Sequence, residues 1–317
     1  MGTHLELLHI DQKESTQPQS LGDIFQKISL PEFKATLSTS LDSAASVQQF
    51  LPHIGFDFHP PKDQERAHTG GTDASKEASK SLYGDFKDPL QAIKADACIQ
   101  PFGIGNCYFV AALASLANVH PERIKNMIQV NDDGTYTVKF PGASSSVTVD
   151  KPSKDEIEQV GGATKYGIWP LIVQKAYGKY CGGGKHDLDG SDGGSAFSAG
   201  VKILSDKGVD YGGIGYMLPL MSWKSMDETL KNAVSPANKN DAVPVTVSTA
   251  KSLFSGNTTD GFVRGHVYSV LDYKHNDNDV KQSLVTVRNP WGGKDAIRTI
   301  TLEKFYENFM QLSVARN

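Results

Sequence analysis

Residues 107–117 read CYFVAALASLA. The run has helical character and is apolar nearly all round, so a helix formed there is buried on every side. The rest of the chain must therefore supply elements to wrap it. With 317 residues the chain is long enough to do so, as one large domain or two small ones at roughly 100–200 residues each. No apolar run approaches the ~20 residues that a membrane span needs. The opening MGTHLELLHIDQKESTQ lacks the basic start and apolar stretch of a cleaved secretory signal. Gly2 is a myristoylation residue, but Glu6 stands where that motif has Ser or Thr. The net charge of −4 offers no electrostatic footprint for nucleic acid or an anionic membrane.

Residues 1–80 differ from the remainder. LGDIFQKISL and SVQQFLPHIGF read as small amphipathic helices, and PPKDQERAHTGGTDASKEASKS as a solvated linker with almost nothing apolar to bury. A boundary is expected near residue 80. Beyond the buried helix, HPERIKNMIQV predicts a second one, with Pro121 in its first turn. TYTVKF and SVTVD alternate as two strands around Pro141-Gly142. IWPLIVQKAYGKY predicts a helix that Gly182–Gly184 stop, and KHDLDGSDGG a loop. MDETLKNAV predicts a helix with acidic residues in its first turn. VPVTVST, HVYSVLDYK, QSLVTVRN and AIRTITL then predict strands, with HNDND as a turn. Helices come first and strands follow, which predicts an α+β fold. The expected halves are a helical part over about 81–205 and a β-rich part over about 206–317, with a site in the cleft between them.

Three cysteines, Cys98, Cys107 and Cys181, suggest neither a disulfide framework nor a zinc knuckle. Cys107 is distinctive because a helix lies behind it. First-turn N–H groups and the helix dipole stabilise a thiolate there. Gly103 and Gly105 keep the approach free of side chains, and the Cys107 N–H could serve a developing oxyanion. A packed core cysteine is the bland alternative. A thiolate wants an imidazole. Most of the nine histidines lie in polar or N-terminal segments and default to the surface, whereas His266 opens an alternating strand directly after Gly265. Asn289, at the end of the next strand in RNPWGG, could orient that ring, with Trp291 shielding the bond.

GNCYFVAALASLA, YGIWPLIVQKAYGKY, GHVYSVLDY and VRNPWGG, in that order, resemble the protease core of calpains, which are papain-like cysteine proteases. DGTYTVKF and TLEKFYENFMQLSVARN add to a resemblance covering roughly residues 83–317. His266 follows Cys107 by 159 residues, and Asn289 follows His266 by 23. The resemblance implies Cys107 as nucleophile, His266 as general acid/base and Asn289 as the group orienting the imidazole. Gly265, Gly194 and Trp291 correspond to the substrate-side residues, with Trp291 covering the His–Asn pair. Gln100 corresponds to the oxyanion-hole glutamine. It stands seven residues before the cysteine rather than six, and Pro101 replaces the glycine that follows it. Asn106 replaces an aspartate and Tyr108 a tryptophan.

The resemblance also implies Ca²⁺ as an activator rather than a participant in the chemistry. Asp96 is the candidate ligand, eleven residues before Cys107 and two more than in the family pattern. Asp187, Asp189 and Asp192 form an acidic loop but not an EF-hand, because Asp192 stands at its sixth position and Ser198 at its twelfth. The implied function is endopeptidase action on protein substrates. A binding module that kept the fold and lost turnover is the alternative, and a transglutaminase-type acyl transferase a third reading. No later calpain domain is expected, so regulation would come from the core, from residues 1–80 or from a partner bound there. Residues 1–80 are expected to be a pro-segment, a targeting arm or a partner tail. The expected location is the cytoplasm, or outside the cell by a route without a cleaved signal peptide.

Overall fold

A computed structural model describes residues 81–160, 165–192, 197–210, 216–249 and 257–316. The expected N-terminal helices, the linker, the boundary near residue 80 and Gly194 lie outside the described residues. The helices are α1 (Pro89–Ala92), α2 (Cys107–Val119), α3 (Pro121–Met127), α4 (Lys154–Gln159), α5 (Trp169–Cys181), α6 (Ala199–Ile203), α7 (Trp223–Val234) and α8 (Leu302–Asn308). The strands β1 (Ile128–Val130), β2 (Tyr136–Val138) and β3 (Val147–Val149) form an antiparallel sheet in that order. A second, six-stranded antiparallel sheet holds β4 (Tyr216–Met217), β5 (Val245–Thr249), β6 (Val267–Lys274), β7 (Leu284–Arg288), β8 (Ile297–Thr301) and β9 (Phe309–Val314). Its order is β4-β9-β5-β6-β7-β8. The fold is mixed α and β.

As its composition requires, α2 is buried from Cys107 through Ala117. Burying each large apolar side chain of such a helix favours folding by about 1.5–3 kcal/mol. Small residues let the sheet approach closely. Ser269 Oγ on β6 donates to the Ala111 carbonyl at 2.8 Å, and Ser115 Oγ accepts the Val245 N–H of β5 at 2.8 Å. The nucleophile candidate's helix and the strand after His266 are therefore stitched together directly. One apolar core runs from Ile93 to Ala315 through helices and strands alike.

Several local expectations need correction. HPERIKNMIQV is not all helix: α3 ends at Met127, and Ile128–Val130 pairs with β2. The β-branched residues Ile128 and Val130 prefer the pleated surface of a strand. Helix α7 starts earlier than predicted, at Trp223, because the Ser222 hydroxyl caps the Ser225 N–H. Asp227 and Glu228 thus lie beyond the first turn, which has no acidic residue. The loop after α5 contains a 3₁₀ turn, Leu188–Ser191. His120 is buried rather than on the surface, held by Glu122 and by the Ala242 carbonyl.

Candidate active site

Cys107 is the first residue of α2, and Asn106 is its N-cap. The cysteine is fully buried, as Cys98 is, and Cys181 is the exposed one of the three. Burial pushes the Cys107 thiol up to about 12, against the backbone N–H groups of Val267, Tyr108 and Cys107 itself, which favour the thiolate. Val267 directly follows His266, so the sulfur lies against the start of β6.

His266 is also buried. Its Nε2 lies 2.9 Å from Asn289 Oδ1. The same oxygen accepts the Trp291 N–H at 3.0 Å. An atom that takes a backbone N–H is an acceptor, so the imidazole proton sits on Nε2 and the lone pair on Nδ1. Nδ1 is then the ring atom able to take a thiol proton. Burial pulls His266 down to about 4, and the Asn289 bond offsets part of this. Trp291 lies over the ring at a centroid distance of 4.7 Å, and Tyr268 meets it edge-on at 5.2 Å. Behind the ring, Thr249 Oγ1 accepts the His266 N–H at 3.0 Å and holds its backbone. Among the described residues no hydrogen bond joins the sulfur to the imidazole, and burial favours the neutral form of each group.

Asn289 directly follows β7, and the turn there closes with the Asn289 N–H on the Ala296 carbonyl. Gly292 and Gly293 supply the left-handed backbone the turn needs, at φ +74° and +89°. This turn grips the segment before the cysteine. The Gln100 N–H donates to the Pro290 carbonyl at 2.9 Å. Buried Arg288 reaches back to the Cys98 carbonyl at 2.8 Å. The Gln100 side chain is buried, and its Nε2 donates to the Ile104 carbonyl at 2.8 Å within the same loop. Gly265 has φ +62° with open space where a side chain would stand.

The opposite side of the loop is held by α5 and the turn after it. Gln174 Nε2 donates to the Ile99 carbonyl at 3.2 Å. Asn106 Nδ2 donates to Ser191 Oγ at 3.2 Å, and the Gly105 N–H to Asp192 Oδ1 at 2.6 Å. Arg288, Gln174 and Ser191 were not anticipated, and Asp192 was considered only as part of an acidic loop. The available signal was polarity out of place: a guanidinium at the end of an alternating strand, and a glutamine directly after the apolar run WPLIV.

Asp96 Oδ1 lies 3.6 Å from Arg288 Nε, so its carboxylate faces a guanidinium. Asp187 leans on Lys175 and Asp189 on His186. Among the described residues no three His, Cys, Asp or Glu side chains converge as a metal cradle. In this arrangement Asp96, Asp187 and Asp189 do not come together as ligands of one ion. No described helix is long and apolar enough to cross a membrane.

Residues 91–297 match the calpain family of cysteine proteases. The chain is 26% identical over 212 residues to the calpain-type cysteine protease DEK1 of Arabidopsis thaliana, across 60% of this chain and 9% of that protein. It is 29% identical over 190 residues to the calpain-like protease palB/cpr-8 of Neurospora crassa, across 56% of this chain and 18% of that protein. The match thus spans less than a fifth of either relative. The family match runs through the buried cysteine helix, the histidine strand and the asparagine turn, and by it the chain belongs to the calpain family of cysteine proteases.

Proposed function

We propose that the protein is a cysteine endopeptidase acting through Cys107, His266 and Asn289. The observation that carries this reading is the imidazole whose Nε2 is tied to Asn289, next in the chain to Val267, whose backbone N–H meets the thiol of a cysteine at a helix N-terminus. That bond leaves Nδ1 as the base. In the reaction, Nδ1 takes the thiol proton and the sulfur attacks a peptide carbonyl carbon. The oxyanion takes the Cys107 N–H, and Gln100 Nε2 where it turns from the Ile104 carbonyl. Imidazolium then gives its proton to the leaving amine, and a thioester to Cys107 forms. Water, losing a proton to Nδ1, attacks the thioester and releases the acid and the thiol. By the family resemblance Gly265, Gly194 and Trp291 are assigned to substrate binding, and proteins are the substrate class.

The buried neutral pair is a resting state in this reading. Substrate and water replace the dry surroundings of both groups, and the charged pair becomes accessible. Residues 1–80 and Ca²⁺ are the proposed places for control. The same burial of Cys107 favours a second reading, a binding module without turnover.

Hydrolysis of an unfolded test protein, with and without Ca²⁺, separates the two. The endopeptidase reading expects cleavage that Cys107→Ser and His266→Ala each abolish. Equal cleavage by wild type and Cys107→Ser, or none under any condition, overturns it. Incorporation of an added amine at the expense of hydrolysis would identify acyl transfer. Calcium as activator is tested by the ratio of rates with and without the ion.

A further inference from the structure

We propose that the turn Leu188–Asp192 is a positioning element for Cys107, acting through Asp192 on Gly105 and through Ser191 on Asn106 and Tyr108. This deepens the endopeptidase reading and rests on it. The turn meets the chain on both sides of the cysteine. Asp192 Oδ1 takes the Gly105 N–H at 2.6 Å, a charge-assisted bond. Ser191 Oγ takes Asn106 Nδ2 at 3.2 Å, and the Ser191 carbonyl takes the Tyr108 hydroxyl at 3.1 Å.

The consequence lies in what Asn106 does not do. Asparagine at an N-cap ordinarily turns its oxygen onto a first-turn N–H. Here it makes no capping bond, because its amide is drawn to Ser191 and Gln174. Its Oδ1 is buried without a hydrogen-bond partner among the described residues. A buried acceptor left unmatched is uncommon and marks a local cost. The N–H groups of Cys107 and Tyr108 are thereby left to the sulfur. If the turn let go, Asn106 would be free to cap the helix and compete for the Tyr108 N–H, at the second helical position.

The turn is rigid enough for this role. Gly178 of α5 lies against it backbone to backbone, where a Cβ would come within 1.9 Å of the Asp187 carbonyl. A Cβ on Gly190 would come within 2.2 Å of the Gly178 carbonyl. The other charged groups of the turn face elsewhere. Asp187 lies 3.7 Å from Lys175, which bonds Glu156 at 3.0 Å, and Asp189 lies 3.4 Å from His186. Asp192 is the carboxylate that reaches the cysteine's approach.

The test is the pH profile of Cys107 alkylation by iodoacetamide, mapped by mass, in the full chain and in Asp192→Ala, Asp192→Asn and Ser191→Ala, with melting temperatures and hydrolysis measured alongside. The positioning role expects Asp192→Ala to slow alkylation by about tenfold, the scale of losing one hydrogen bond to a charged group. Its profile moves to higher pH. Asp192→Asn, which keeps an acceptor for Gly105, retains most of the rate, and Ser191→Ala slows it. A bare charge effect has the opposite sign, because removing a carboxylate favours a neighbouring thiolate. Faster alkylation in Asp192→Ala, or a lower melting temperature with an unchanged profile, overturns the proposal while wild-type hydrolysis stands. A wild-type Cys107 that titrates as an ordinary thiol, with no hydrolysis, brings down the endopeptidase reading and this proposal with it.

Discussion

Arg288 Nη2 donates to the Cys98 carbonyl at 2.8 Å, from a side chain almost wholly inside the protein. The two residues are 190 positions apart in the chain. Burial lowers the guanidinium pKa, with Asp96 and Cys98 acting the other way. The contact anchors the segment before the cysteine to the strand that leads into Asn289. Arg288→Met keeps most of the volume and drops the donors. It is expected to lower stability by about 1.5–3 kcal/mol, the range for a hydrogen bond involving a charged group. Urea unfolding reads the loss, and activity should fall further than stability because Gln100 is freed from its register.

Asn289→Ala removes the acceptor that fixes the His266 proton on Nε2. The ring then rotates and changes tautomer. On the proposed mechanism kcat falls about 100-fold, at the low end of what a positioned general acid or base contributes, while KM changes little. Asn289→Asp keeps an acceptor and should retain more activity than Ala. Steady-state kinetics on a peptide substrate checks both.

The buried pair sets a pH window for stability. His266 is held at about 4 in the folded protein, below its ordinary 6.5. Between those values the unfolded chain binds more protons, so stability rises with pH and is complete above 6.5. Cys107 is held at about 12, above its ordinary 9.0. Above 9 the unfolded chain loses its proton first, so stability falls as pH rises toward 12. At 1.36 kcal/mol per pKa unit the acid limb amounts to roughly 3 kcal/mol at most and the alkaline limb to roughly 4 kcal/mol at most. Unfolding free energies from pH 4 to 10 should plateau between 6.5 and 9. His266→Gln should flatten the acid limb, and Cys107→Ala the alkaline one.

Gly178→Ala places a methyl group 1.9 Å from the Asp187 carbonyl. Backbone must move, since the obstructing atom is not the end of a flexible side chain. Overpacking of this kind costs about 1–3 kcal/mol, outweighing the ~1 kcal/mol that alanine gains over glycine within a helix. Thermal melting should show a net loss. An unchanged or higher melting temperature would mean that α5 and the turn are not in close backbone contact.

Much of this protein was legible along the chain. An all-apolar helix from Cys107 had to be buried, and it is. Alternation over VTVST, VYSVLDYK and LVTVR marked β5, β6 and β7, because one strand's side-chain period is written in consecutive residues. Cys107, His266 and Asn289 were singled out from their local settings and family wording. Weak or mixed local signals misled in two places: β1, at the tail of a helical pattern, was missed, and α7 was predicted without its first three residues, because its start depends on the Ser222 cap. What only the tertiary structure decided is how distant pieces meet. Arg288 on the Cys98 carbonyl, the Pro290 carbonyl on Gln100, and Asp192 on Gly105 join residues 87 to 190 positions apart. No periodicity encodes such contacts, because they depend on the packing of α2 between the sheet and α5. Burial was likewise a tertiary outcome. A cysteine at a helix start reads as an activated thiol, and only packing buries both this one and His266.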